Sequence, residues 1–145
     1  MLGNGKNKKS MAYIGNIAAF LNACLFSEQR YGVYNYVDTP DMDMNELVSL
    51  VRKTLQGKQG VGLRLPYWLG LVLGYIADGV ARFTGSSLPV SSIRVRKFCA
   101  TTQFNSQKDP LDGFEAPYSL AEGIEHTLHS EFISPDPNRE IFFTE

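Results

Sequence analysis

Gly3-Asn4-Gly5-Lys6-Asn7-Lys8-Lys9-Ser10-Met11-Ala12-Tyr13-Ile14-Gly15-Asn16-Ile17-Ala18-Ala19-Phe20 is the stretch on which the fold turns. A glycine-rich basic loop leads into a brief apolar strand, Met11 to Ile14. Gly15-Asn16 makes a small turn, and a helix begins. Ile17, Phe20, Leu21, Cys24 and Leu25 fall at i, i+3, i+4, i+7 and i+8, one apolar stripe of that helix. A loop of this kind connects elements already in place, so the run reads as the middle of a fold, with nothing before Gly3 to supply a first strand.

Outward from this stretch, short strands alternate with amphipathic helices. Val33-Tyr34-Asn35-Tyr36-Val37 is β-branched and aromatic, a strand signal. Asp43 and Glu46 form a capping box for a helix with Leu47, Val48, Val51 and Leu55 on one face, ended by Gly57. Val61 to Leu65 reads as a strand that runs into a helix opened by Pro66 and closed by Gly85. That helix is greasy, but Asp78 and Arg82 interrupt it short of the roughly 20 apolar residues that a membrane span needs. It is expected to be a core helix, buried on most of its surface. Ser91 caps a helix that carries Val95, Phe98 and Cys99. Residues 105–117 are irregular. Ser119 and Glu122 form a second capping box, and Leu120, Ile124, Leu128 and Phe132 line the helix that follows. Ile141-Phe142-Phe143 reads as a short terminal strand.

Bulk properties narrow the function. The 145 residues make one domain or part of one, and 43% hydrophobic with 20% charged residues is ordinary for a globular chain. A net charge of −1 gives no global attraction to nucleic acid or to an anionic membrane, so neither is expected as a partner. Positive charge is local, at Lys6, Lys8 and Lys9 and again at Arg94, Arg96 and Lys97. Cys24 and Cys99 lack metal-ligand spacing and sit in apolar runs, as free thiols of a reducing, cytoplasmic compartment do. No signal peptide pattern is visible.

The chemistry-bearing candidates are few. Gly3 to Ser10 approaches a phosphate-binding P-loop, but Lys8 occupies the second glycine position and a strand, not a helix, follows. A looser phosphate contact and a solvated basic loop both stay open. Gly57-Lys58-Gln59-Gly60-Val61-Gly62 echoes a dinucleotide fingerprint in reversed context, so a helix cap and turn is the expected role. His126 and His129 are read as surface histidines, not metal ligands. Arg94, Arg96 and Lys97 share a helical segment and either clamp a phosphate or face water. No Gly-x-Ser-x-Gly elbow and no Tyr-x-x-x-Lys pair is present, and no catalytic residue is assigned.

Taken in order, four markers resemble a known family. They are the loop-strand-turn-helix Gly-Asn-Gly-Lys-Asn-Lys-Lys-Ser-Met-Ala-Tyr-Ile-Gly-Asn-Ile, then Val33-Tyr34-Asn35-Tyr36-Val37-Asp38, then Leu65-Pro66 with a helix ending at Thr84-Gly85, and last Pro117-Tyr118-Ser119-Leu120-Ala121-Glu122-Gly123-Ile124. Together they are similar to the NAD-dependent epimerase/dehydratases, the extended short-chain dehydrogenase/reductases of nucleotide-sugar epimerase type. The resemblance implies an α/β fold of α+β-like character, helices with a few short strands. It implies residues 1–145 as the carboxyl-terminal substrate-binding part, lacking the Rossmann domain. The helix 17–26 and the strand 33–37 would complete the missing NAD-binding domain. NAD or NADP would belong to the parent enzyme, which oxidises and reduces a sugar-nucleotide hydroxyl carbon, and this part alone would bind no cofactor and be inactive. Phosphates of a nucleotide-diphosphate sugar would meet Lys9 and either Arg94 or Arg96. Lys9 stands where the family has arginine, giving a point charge in place of a fork. Binding would be weak, and bare apolar surface would favour a homo-oligomer. The competing reading is a stand-alone α/β binding or regulatory module. A third is a peripheral membrane protein, which requires the Pro66 helix to present a lipid-facing apolar side.

Overall fold

The computed structural model describes residues 1–28, 31–85, 88–104, 111 and 113–137. In chain order the elements are β1 (Lys8–Lys9), α1 (Ile14–Leu25), β2 (Met42–Asp43), α2 (Met44–Gln56), α3 (Tyr67–Thr84), α4 (Ser92–Cys99) and α5 (Leu120–Leu128), which runs on into a π-helical turn, His129–Ile133. This is a helix-rich α/β arrangement with two short strands. The strands pair antiparallel, Lys8 opposite Asp43 and Lys9 opposite Met42. Two isolated parallel bridges, Leu2 to Leu65 and Lys9 to Thr102, tie the opening loop to the chain on either side of α3 and α4.

Local chemistry sets the helix ends. The Asp43 carboxylate accepts the backbone N–H groups of Asn45 and Glu46, both at 2.8 Å, while the Glu46 carboxylate accepts the Asp43 N–H at 2.8 Å. Ser119 and Glu122 repeat the device at α5, and the Ser91 hydroxyl accepts the Arg94 N–H at α4. These contacts satisfy N–H groups that the first helical turn leaves without partners. Gly57 and Gly85 close α2 and α3 in the left-handed conformation.

The expected strands fare differently. Met11 to Ile14 is not a strand, because α1 starts at Ile14 and takes Gly15-Asn16 into its first turn. The cause is Asp38, whose carboxylate accepts the Tyr13 N–H at 2.7 Å and so places an anion at the helix N-terminus. Residues 33–37 run without strand pairing; Tyr34 and Tyr36 pack on Phe20, while Val33 stands in solvent. Of 61–65, only Leu65 bridges. The terminal strand at 141–143 and most of the irregular stretch 105–117 lie outside the described residues.

The buried apolar side chains are Phe20, Met44, Val95, Leu120 and Leu128. Phe20 stacks on Tyr36 with ring centroids 4.8 Å apart and meets Tyr34 and Phe114 edge-on. The α1 stripe is therefore split: Phe20 turns inward, Leu21 and Leu25 outward. At α5 the stripe is also cut short. The π turn shifts the phase of the helix, and Phe132 emerges exposed.

Helix α3 departs most from expectation. Only Gly70 and Gly74 are buried, and Tyr67, Trp68, Val72, Leu73, Tyr75, Ile76, Val80 and Phe83 are exposed. Its inner side packs on α4, the most extensive helix pair of the fold. The approach is close: a methyl group at Gly74 would lie 2.7 Å from the Ser92 Cα. The Asp78 carboxylate accepts the Ser92 N–H at 3.1 Å and fixes the register of the pair. Small residues make the contact, so the large apolar side chains of α3 are left pointing away from it.

Candidate functional site

The opening loop lies against α2, α3 and α4, held mainly by backbone groups. The Gly3 N–H donates to Leu65 O at 2.9 Å, the Asn45 N–H to Gly5 O at 3.2 Å, and the Met44 N–H to Asn7 O at 3.1 Å. Asn7 Nδ2 donates to Phe98 O at 2.8 Å at the end of α4. Arg64 bridges Asn4 O and Asn45 Oδ1 at 3.0 and 2.8 Å. Gly5 is buried with φ of 70°, and a Cβ there would lie 2.3 Å from Asn45 Oδ1, so only glycine fits. The Lys6 N–H turns to Asn4 Oδ1 at 3.0 Å. These groups are committed to bracing the loop.

A cleft of about 400 Å³ opens between this loop, the start of α3 and the end of α4. Leu2, Gly3, Asn4, Asn7, Tyr67, Arg96, Cys99 and Ala100 line it. No carboxylate is among them. Arg96 contributes a guanidinium that donates to the Tyr75 hydroxyl and lies 5.7 Å from the centroid of that ring. Cys99 is a free thiol, pushed up from its ordinary pKa by burial and pulled partly back by the charge of Lys9. Lys9 itself donates from Nζ to Lys97 O at 2.9 Å, at the carbonyl-rich end of α4. Arg94 faces elsewhere, donating to Pro89 O at 2.8 Å. Of the three basic residues singled out in the sequence, then, Arg96 enters the cleft, Lys9 acts on it through Cys99, and Arg94 braces a loop.

Sequence reasoning missed a second constellation. Asn16 is fully buried. Its Nδ2 donates to Asp38 Oδ1 at 3.0 Å and to Tyr118 O at 2.8 Å, and its Oδ1 accepts the Tyr118 N–H at 3.1 Å. Asp38, also buried, accepts in addition from the Tyr36 hydroxyl at 2.9 Å. Burial, and then the hydrogen bond to Asp38 and its charge, hold the Tyr36 phenol protonated well above its ordinary range. Tyr13, Tyr118 and His126 meet edge-on beside this hub, with centroids 5.2 to 5.9 Å apart. The one sequence signal was a buried-type asparagine opening an apolar stripe.

The residues do not fit a dinucleotide. Gly57, the first glycine of the fingerprint-like run, ends a helix, whereas a pyrophosphate needs glycines that open one. His126 is held among aromatic rings, and no group of three or more metal-ligating side chains converges among the described residues.

The braced loop and the helix-rich packing with two short strands are consistent with the resemblance to the NAD-dependent epimerase/dehydratases drawn from the sequence. The similarity that carries this is specific. Along its whole length, over 146 aligned residues, the chain is 46% identical to the N-acetyl-alpha-D-glucosaminyl-diphospho-ditrans,octacis-undecaprenol 4-epimerase of Escherichia coli O157:H7. It spans 44% of that protein's length. No protein-family model matches the chain, and no solved structure does.

Proposed function

We propose that this chain is the substrate-binding part of a sugar 4-epimerase whose substrate carries its sugar on a diphosphate. The observation that supports this best is the cleft at Arg96, electropositive and free of carboxylates, in a chain 46% identical to an epimerase of a diphosphate-linked sugar. Arg96 offers a planar fork to one phosphate, and Lys9 would give the other a point charge by exchanging its bond to Lys97 O for the ligand. Arg94 serves the fold. The carrier on the far side of the diphosphate is a polyprenol in that relative, so the polyprenol-linked sugar is favoured over the nucleotide-linked one.

Inversion at a sugar carbon proceeds by oxidation of the hydroxyl to a ketone and reduction from the other face. NAD or NADP supplies the hydride acceptor and donor for this chemistry when bound. This chain's residues do not fit that cofactor, so their part is to hold the diphosphate and orient the sugar. Alone the chain is inactive. The outward side of α1 and the 33–37 segment would pack against the cofactor-binding remainder in a cytoplasmic enzyme.

Chemical-shift perturbation tests the assignment, with a nucleotide-diphosphate N-acetylhexosamine and a short-chain prenyl-diphosphate analogue as probes. Both should move resonances around Arg96 and Cys99, the prenyl compound more strongly. Arg96→Ala should weaken binding by roughly tenfold, the loss of one charge-assisted contact. Lys9→Ala should weaken it less, and Arg94→Ala should leave it unchanged. Binding curves untouched by both Arg96→Ala and Lys9→Ala would refute the site.

A further inference from the structure

Helix α3 presents an apolar side that nothing among the described residues covers. Trp68, Val72, Ile76 and Phe83 succeed one another along it, with fractional exposures of 65%, 46%, 58% and 92%. At 1.5 Å per residue the row extends about 22 Å. No charged side chain interrupts it. Arg82 and Asp78 sit on one flank, and the opposite side is the glycine-lined contact with α4. No helix among the described residues is long and apolar enough to cross a membrane.

The segment that carries this face is net cationic. Residues 61–104 hold Arg64, Arg82, Arg94, Arg96 and Lys97 against the single acid Asp78, a net +4. The whole chain nets −1, so the remainder carries −5. The global balance that argues against an anionic partner hides a segment that suits one. Tyr67 and Trp68 stand at the cleft end of the row and Tyr75 midway along it, and amphipathic rings of this kind favour the boundary between headgroups and acyl chains. Tyr67 lines the cleft and Arg96 touches Tyr75, so cleft and apolar face adjoin.

We propose that α3 lies in the surface of an anionic bilayer, its Trp68–Phe83 row among the lipid chains and the flanking Arg82 and Arg96 on the headgroups. The inference extends the polyprenol-linked reading of the substrate and rests on it: a diphosphate anchored in the bilayer by its lipid would emerge beside Arg96. A second copy of the chain is a poorer occupant, since face-to-face pairing would bring two +4 segments together.

Trp68 is the chain's one tryptophan, and it reports directly. The full chain is mixed with vesicles of phosphatidylcholine alone, or of phosphatidylcholine with phosphatidylglycerol. Expected are a blue shift of Trp68 emission and co-sedimentation with the anionic vesicles, both reduced by salt. Ile76→Glu, at an exposed position that leaves the fold intact by circular dichroism, should weaken partitioning by roughly tenfold or more. Arg82→Gln should weaken it less. Unchanged emission with anionic vesicles overturns the proposal. So does an Ile76→Glu chain that partitions as well as the parent, or equal binding to neutral vesicles. A dimer that Ile76→Glu dissociates, with no response to lipid, would give the face to a second copy; protection of Trp68 only by the remainder of the enzyme would give it to that remainder. The vesicles contain no sugar diphosphate, so failure here leaves the Arg96 titration standing, and failure of that titration leaves docking standing.

Discussion

The hub at Asn16 and the outer face of α3 are opposites. At the hub, polar groups are removed from water and nearly every one finds a partner within the chain. On α3, apolar groups are left exposed with no partner among the described residues. Both run against the simple rule of apolar inside and polar outside, and for different reasons. A buried polar network stabilises only if it is complete, since each unpaired group costs more than a satisfied one contributes. An exposed apolar row stabilises nothing by itself; it has a consequence only when something else covers it. The first region holds the fold, and the second is available for binding.

The largest expected effects belong to the hub. Phe20→Ala removes the ring at the centre of the Tyr34, Tyr36 and Phe114 cluster and should cost about 3–5 kcal/mol. Asp38→Ala leaves the Tyr13 N–H, one Asn16 proton and the Tyr36 hydroxyl without their acceptor. At about 1–3 kcal/mol for each buried donor that water cannot reach, a loss of roughly 3 kcal/mol or more is expected in urea denaturation. A loss under about 1 kcal/mol would mean that the hub is open to solvent, and the contrast with α3 would fail.

Next in size is the inner side of α3. Gly74→Leu drives a side chain into the Ser92 backbone, and with no flexible group there to yield it should cost about 1–3 kcal/mol. The same experiment sharpens the comparison, because it separates the side of α3 that the chain has packed from the side it has not.

The capping boxes give a smaller effect with a defined pH dependence. Hydrogen bonds from the Ser119 side chain, then its backbone, hold the Glu122 carboxyl below its ordinary 4.5, and the backbone N–H of Glu46 leads those that hold Asp43 below 3.8. Each acid binds a proton more readily unfolded than folded, so its contribution is complete above the ordinary value and disappears as pH falls through the lowered one. Helicity followed by circular dichroism should therefore fade on acidification from about pH 4.5 downward. Ser119→Ala should cost about 1 kcal/mol at neutral pH and flatten that acid limb. An acid limb unchanged by Ser119→Ala would detach it from the α5 box.

The same contrast explains how much was legible in the sequence. Caps were readable because their partners sit three residues apart: Asp43 with Glu46, Ser119 with Glu122. Strands were not, because a strand is a pairing. Residues 33–37 have the composition of one but form no strand pairing among the described residues, and the Tyr34 and Tyr36 rings pack on Phe20. The hub was invisible because its members lie 22 and 102 residues apart. At the site, the basic residues were recognisable but not their assignment. Arg94 and Arg96 differ by about 200° around α4, and only packing against α3 decides which one meets the cleft.

The smallest expected effect is the most direct check on the comparison. Ile76→Ser changes an exposed side chain on a face with nothing against it, so in dilute solution without lipid it should shift stability by no more than about 0.5 kcal/mol. Phe20→Ala removes a larger apolar group, and from a buried site, at a cost several times larger. If Ile76→Ser instead cost 1 kcal/mol or more, Ile76 would have to be covered in solution, by another copy of the chain or by the chain itself. With another copy the penalty would grow with protein concentration, because an interface that stabilises the fold does so by mass action. A penalty independent of concentration would mean that α3 buries this row within the chain itself, and the distinction between a region that holds the fold and a region left for a partner would be lost.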